Sequence, residues 1–192
     1  MTPDRSREGA GRAVTVNRAP VLTLWAAVVA ERLGFDRSEG LTLGKAVAGL
    51  NAQSKGRALG IFAPSARADM ERKRRALKPG ETTLVQLLGR TVPCVRTPAG
   101  MRALAKDRPV APESVERYLQ SKFGGALDAA RRAMETLAGA FGPEELAERA
   151  FALYERFRPA IPPGVRGWGA AGVLDLDFIR SLARSKRGES PR

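Results

Sequence analysis

The chain has 192 residues, of which 33 are Lys or Arg and 20 are Asp or Glu, so its formal net charge is +13, and it has no histidine. That length fits one sizeable domain or two small ones. The lack of histidine excludes the commonest proton shuttle near neutral pH and histidine metal sites, and the single Cys94 excludes an internal disulfide or a thiolate cluster. We therefore expect a protein that is not a histidine- or cysteine-dependent enzyme and that needs no cofactor.

Nothing in the sequence predicts contact with a membrane. The longest apolar stretch, residues 21–30, is interrupted by Thr23 and is far shorter than the roughly 20 residues that span a bilayer. The first residues include Asp4 and Glu8 and lack the basic-then-apolar order of a signal peptide. Together with the cysteine count, this predicts a cytoplasmic protein.

The positive charge is concentrated in parts of the chain. Residues 67–108 have a net charge of +7 and residues 180–192 of +4, whereas residues 109–179 have a net charge of −2. A bias toward Ala, Arg, Gly and Pro, as GC-rich genomes produce, raises the isoelectric point without selection for a polyanionic partner. That bias explains a local concentration less well, which favours nucleic acid as the partner, with a merely solvated basic surface as the alternative.

The first predicted element is a helical hairpin, residues 19–62. A helix begins near Pro20, carries apolar side chains at i, i+3 and i+4 spacing, and ends at Gly34. Asp36 followed three positions later by Glu39 is typical of a capping box. A second helix is therefore predicted from about Arg37 to Lys55.

The middle of the chain, residues 63–111, is predicted to be basic and irregular. Residues 66–78 could form a short charged helix, and residues 82–97 are the strongest strand candidate because they combine β-branched residues with a breaking Pro93. A short hairpin is expected there, with a helix over residues 83–88 as the alternative. Residues 97–111 are interpreted as a connection with one helical turn.

The last third, residues 112–184, is predicted to be a helix bundle. Apolar stripes predict helices over residues 112–123, 127–141 and 143–157, and a final helix over residues 175–184. A Pro- and Gly-rich loop separates the third helix from the last.

The fold class expected from these elements is mainly α: a helical hairpin plus a C-terminal helix bundle, with at most a small β-hairpin in the middle. Residues 19–184 would form a single domain. Residues 1–18 are expected to be a disordered basic arm and residues 185–192 a mobile basic tail.

The hairpin resembles a helix-turn-helix in outline. In such motifs the second helix enters the major groove, and here it would present Arg37 and Lys45 to base edges. An ordinary hairpin that packs into a core or a dimer is the favoured alternative, because Gly40 stands where these motifs usually have an aliphatic residue. Gly40, Gly44 and Ala48 recur at i, i+4 and i+8, a spacing that lets another helix approach closely and could serve a homodimer.

Two further segments are candidates for binding. The densest basic run would contact phosphates without reading sequence, although a solvated helix is an equal alternative; it consists of Arg72, Lys73, Arg74, Arg75 and Lys78. Arg166 and Trp168 lie in a glycine-rich loop that could contact a ligand or partner, with a Trp168 that only fills a gap between helices as the favoured interpretation.

Other residues that could carry chemistry have simpler interpretations. Asp175 and Asp177 could hold a magnesium ion, but aspartates at a helix start are favoured for dipole reasons alone. Glu144 and Glu145 are interpreted in the same way, and Cys94 is expected to be a buried apolar filler.

The leading functional hypothesis is a small non-enzymatic nucleic-acid-binding protein that binds duplex DNA. The alternative is a protein interaction or regulatory module that homodimerises or docks through the Trp168 loop. An enzyme that depends on carboxylates or a cofactor is the third hypothesis, and no constellation of residues supports it.

Overall fold

The computed structural model describes residues 13–58, 82–165 and 169–188. Its helices are α1 (Arg18–Arg32), α2 (Arg37–Ala58), α3 (Pro112–Phe123), α4 (Leu127–Gly139), α5 (Pro143–Phe157) and α6 (Leu176–Gly188). Its strands are β1 (Ala13–Asn17), β2 (Thr82–Leu87), β3 (Arg90–Thr97), β4 (Gly100–Ala105), β5 (Arg108–Pro109) and β6 (Ala171–Asp175).

Helix α1 forms the centre of the molecule. Every residue from 20 to 30 is buried, so the helix is enclosed on all sides and not only along its apolar stripe. It packs against α2, α3, α4 and α5. The indole Nε1 of Trp25 donates a hydrogen bond to the carbonyl oxygen of Ala150 at 2.8 Å, and its ring meets Phe157 edge-on at 5.3 Å. The other elements are therefore positioned by a shared core helix.

The small residues of α2 face α1 within the same chain. A Cβ on Gly44 would collide with the carbonyl oxygen of Thr23, and one on Gly40 would lie 3.0 Å from the carbonyl oxygen of Ala27. The face formed by Gly40, Gly44 and Ala48 is thus not free to form a homodimer, and the prediction that it might do so was wrong. The spacing was a sound indicator of close helix packing but not of its partner.

The start of α2 connects the helical hairpin to the sheet. The capping box is confirmed, since Asp36 Oδ1 accepts from the backbone N–H of Glu39 at 2.8 Å and Glu39 Oε2 accepts from that of Asp36 at 3.1 Å. Glu39 Oε1 also accepts from the N–H of Met101 at 3.1 Å, and Thr42 Oγ1 accepts from that of Ala103 at 3.1 Å. Polar groups of the first two turns of α2 therefore hold β4 in place.

The middle of the chain forms a four-stranded antiparallel meander in the order β2-β3-β4-β5. Its outer connections are two-residue turns in which both residues have positive φ: Leu88 and Gly89, then Lys106 and Asp107. Such turns match the twist of the strands that they join. Residues 101–105, interpreted from sequence as a helical turn, form a strand because these turns and the contacts with α2 override the local helix propensity of Met, Arg, Ala and Leu.

A second sheet joins the two ends of the described chain. Strands β1 and β6 pair antiparallel, with Thr15 opposite Val173, and each strand leads directly into a helix. Residues 13–17 therefore form a strand although the sequence placed them in the disordered arm. Local composition cannot predict this strand, because it depends on backbone pairing with a segment some 160 residues away.

The predicted helices of the last third agree with α3 to α6 to within a few residues. The fold class, however, was wrong: six strands in two sheets accompany the helices of the described ranges, so the protein is not a helical hairpin plus bundle with a small hairpin. In the described part of the chain, no helix has the combination of length and apolar character needed to cross a bilayer.

Candidate nucleic-acid interface

The charges of the molecule divide between two regions. We call α2, β2–β5 and α3 the cationic region, and α4, α5 and α6 the balanced region. In the sheet of the cationic region, residues 82–109, the only acidic residue is Asp107. The cations of that sheet are Arg90, Arg96, Arg102, Lys106 and Arg108.

Three of these cations occupy one end of the sheet, which we call the basic end. Arg90 follows the β2–β3 turn, and Lys106 and Arg108 flank Asp107 at the β4–β5 turn. Because β4 runs antiparallel to β3, the two turns lie at the same end of the sheet. The guanidinium of Arg90 donates to Asn51 Oδ1 at 3.2 Å, which ties this end to α2.

The cations of the sheet differ in exposure and in whether they are paired. Lys106, Arg108 and Arg96 are exposed and form no ion pair with any other described residue. Arg102 is buried, and its guanidinium donates to the carbonyl oxygens of Met101 at 2.8 Å and Ala99 at 2.9 Å, which closes the β3–β4 turn. Arg102 is therefore structural, whereas Lys106, Arg108 and Arg96 are free to contact an anion.

The two predicted base-reading residues of α2 face another helix. Arg37 Nε lies 3.5 Å from Glu116 Oε1 on α3, with both side chains more than half exposed. The Nζ of Lys45 lies 3.8 Å from the centroid of the Tyr118 ring, also on α3. Since α1, β4 and α3 all pack against α2, this helix has the contacts of an ordinary packed hairpin helix.

Lys45 has an electropositive environment. Burial lowers the pKa of Lys45, and the charge of Lys122 on α3 lowers this pKa further. Burial also raises the pKa of Tyr118, whose ring Lys45 contacts. No ion pair of either lysine is found among the described residues. The α2–α3 contact thus brings two cations together without a carboxylate.

A cleft of about 340 Å³ lies beside this contact, between α1, α2, α3 and α4. Leucine side chains line much of it, and charged side chains of both signs complete it. One of these, Arg131, is held by the carboxylates of Glu31 and Glu135. Arg37 pairs with Glu116, and Arg117 and Asp128 add one charge of each sign to the lining, so the cleft has no clear preference for an anion.

The balanced region pairs several of its charges internally. Glu145 Oε1 accepts from Lys186 Nζ at 2.7 Å and lies 3.5 Å from Arg149 Nε. The hydrogen bond from Lys186 is the main reason why the pKa of Glu145 is lowered. Arg180 pairs with Asp177 at 2.9 Å. Acids of these helices therefore neutralise neighbouring cations rather than those of the sheet.

The acids considered as metal ligands serve helix starts. Asp175 Oδ1 accepts from the backbone N–H groups of Asp177 and Phe178 at 2.9 and 3.0 Å, and it thereby caps α6. Glu144 and Glu145 lie in the first turn of α5. Over the ranges that the structure covers, three or more His, Cys, Asp or Glu residues never come together as a metal site would require.

Most of the predicted binding residues lie outside the described residues. This holds for Arg72, Lys73, Arg74, Arg75 and Lys78 and for Arg166 and Trp168. The sequence did not single out Lys106, Arg108 or Lys122. Lys106 and Arg108 carry no clear sequence signal, because Lys106-Asp107 is not one of the residue pairs that typically identify a hairpin turn. No local signal pairs Lys122 with Lys45, because the two lie on different helices.

No protein-family model, curated protein or solved structure matches the chain.

Proposed function

We propose that the chain is a small, non-enzymatic, cytoplasmic protein that binds the phosphate backbone of duplex DNA through its cationic region. The observation that supports this proposal is the contrast in pairing. Lys106 and Arg108 at the basic end are exposed without an ion pair among the described residues, while Glu145 and Asp177 are engaged by cations of their own helices or their neighbours. The charges of Lys106 and Arg108 are thus not neutralised by an ion pair within the described part of the chain.

Backbone contact is the mode of binding that this arrangement favours. Lysine and arginine that neutralise phosphates release condensed counterions, which gives affinity without sequence information. Base reading needs a side chain that reaches into a groove, whereas Arg37 pairs with Glu116 and Lys45 packs on Tyr118, both residues of α3. The run from Arg72 to Lys78, which connects α2 to β2 along the chain, would add further phosphate contacts.

The proposal is tested by the salt dependence of binding to a random duplex, followed by fluorescence anisotropy between about 50 and about 200 mM salt. We expect the logarithm of the affinity to fall linearly with the logarithm of the salt concentration. The double variant Lys106→Gln/Arg108→Gln should bind several-fold more weakly and with a slope smaller by about two.

The matched control is Arg149→Gln/Arg180→Gln, which removes the same formal charge from the balanced region. Both control cations already face carboxylates, so this variant should lose less affinity and keep the steeper slope. Equal losses in the two double variants would mean that binding follows net charge alone. That result, or the lack of salt-sensitive binding by the wild-type chain, would overturn the proposal.

A further inference from the structure

The contact between α2 and α3 brings Lys45 onto an aromatic ring of the helix that also carries Lys122. The Nζ of Lys45 lies 3.8 Å from the centroid of the Tyr118 ring, a distance at which the ring face attracts a cation. Lys122 stands four residues after Tyr118 on α3, and residues at this spacing share one face of a helix. The ring thus holds one ammonium group in place while a second lies nearby.

The two lysines differ from other cations of the helices in having no carboxylate partner among the described residues. Arg131 on α4 is accompanied by Glu31 and Glu135, and Lys186 on α6 by Glu145. Glu116, the acid of α3 nearest in sequence to Tyr118, pairs instead with Arg37. The charge of Lys122 lowers the pKa of Lys45, and an anion that contacts both ammonium groups would offset this repulsion.

We propose that Lys45 and Lys122 together bind one phosphate group, with Tyr118 holding Lys45 in position. The inference rests on the proposed function where it takes this phosphate to be a phosphodiester of the nucleic-acid backbone; inorganic phosphate is the other source of the same chemistry. Lys45 then contacts backbone rather than base edges, and the site contributes affinity without sequence preference.

The lowered pKa of Lys45 is consistent with this assignment. A bound phosphate would stabilise the protonated ammonium group, so binding should raise the pKa of Lys45 toward that of an ordinary lysine. Side-chain NMR of the lysine Nζ and Cε nuclei reports this change directly. Inorganic phosphate should shift the signals of Lys45 and Lys122 and leave that of Lys106 nearly unchanged.

The deciding experiment combines this titration with duplex binding by Lys45→Gln/Lys122→Gln. The matched control is Arg132→Gln/Arg156→Gln, which removes the same charge from exposed positions on α4 and α5. We expect the lysine double variant to lose its phosphate response and to bind the duplex about tenfold more weakly than the control, because two charge-assisted hydrogen bonds are removed. The charge-preserving variant Lys45→Arg/Lys122→Arg should retain most duplex affinity.

The possible outcomes separate the two proposals. A phosphate response at both lysines in a chain that binds no duplex would support the site, assign it to free phosphate and refute the proposed function. Duplex binding that is equal in the lysine and control double variants, with no phosphate response, would overturn the site and leave the proposed function intact. If Lys45→Gln impairs folding, the exposed Lys122→Gln alone decides, and affinity equal to that of Arg132→Gln would overturn the site.

Discussion

The cationic and balanced regions pack against the same core helix, α1, but several of their cations differ in whether they are paired. In the balanced region Arg131 contacts two carboxylates and Lys186 contacts Glu145. In the cationic region Lys106 and Lys122 are exposed without ion pairs among the described residues. The difference shows that net charge alone says little, because paired cations serve the fold and only unpaired ones are available to a polyanion.

If α1 is the common core of both regions, adding a side-chain atom where α2 contacts α1 should have the largest effect on stability. A methyl group at Gly44 would collide with the α1 backbone, which cannot yield as a side chain can. We expect Gly44→Ala to lower the free energy of unfolding by about 3 kcal/mol, measured by urea denaturation.

Gly49→Ala is the control on the same helix. Nothing lies within 4 Å of a Cβ at Gly49, so the substitution should be neutral or raise the free energy of unfolding by up to about 1 kcal/mol through helix propensity. A similar loss of unfolding free energy in both variants would show that α1 and α2 do not pack as closely as the position of Gly44 implies.

If charge in the balanced region serves the fold, then Arg131→Met should destabilise the protein by roughly 2 to 3 kcal/mol. Only 11% of the Arg131 side chain is exposed, and its loss would leave Glu31, whose Oε1 is already buried without a hydrogen bond, uncompensated. Thermal unfolding measures the effect. The neighbouring exposed Arg132→Met should change stability by no more than about 0.5 kcal/mol, and Glu31→Gln should recover part of the loss in the double variant.

The sequence predicted the helices better than the sheets because helix signals are local. The capping box of Asp36 and Glu39 and the apolar stripes of α3 to α6 lie within a few residues of one another. The pairing of β1 with β6 depends on residues at both ends of the chain. The Leu88-Gly89 and Lys106-Asp107 turns are not the Asn-Gly or Asp-Gly pairs that identify a hairpin most clearly.

The candidate site was predictable only in part. The excess of cations between residues 67 and 108 could be read from composition, and Lys45 was singled out on α2. Its neighbours Tyr118 and Lys122 lie more than 70 residues away in sequence, so only the packing of α3 against α2 brings them together. Which cations remain unpaired is a property of tertiary structure.

Behind its exposed cations, the sheet of the cationic region should be packed as tightly as the helices. Burial, with a smaller contribution from Glu39, raises the pKa of Cys94 from 9.0 to about 11. Because the folded pKa is the higher one, Cys94 contributes up to about 3 kcal/mol of stability below pH 9, which is lost as the pH rises toward 11. At pH 8 only on the order of one thiol in a thousand would be ionised.

Alkylation by iodoacetamide at pH 8 should therefore be very slow in the native protein and fast in urea. Mass spectrometry measures the modified fraction over time. Rapid native modification would show that the inner face of the sheet opens readily and that the sheet is not packed as tightly as the helices.

The smallest expected effect is on the pKa of Glu145, which pairs with Lys186 near the surface of the balanced region. The hydrogen bond from Lys186 is the main reason that the pKa of Glu145 is lowered, so Lys186→Gln should return this pKa toward its ordinary value. Since the folded pKa is the lower one, the stability that this pair provides is present above the ordinary glutamate pKa and is lost as the pH falls through the folded pKa. NMR titration of the Glu145 carboxyl carbon measures the change directly. The control is Arg184→Gln, which removes an exposed cation from the same helix as Lys186 and should leave the pKa of Glu145 unchanged. An equal shift of this pKa in both variants would mean that Glu145 responds to the total charge of α6 and not to Lys186 in particular. The ion pair of Glu145 would then not distinguish the balanced region from the sheet.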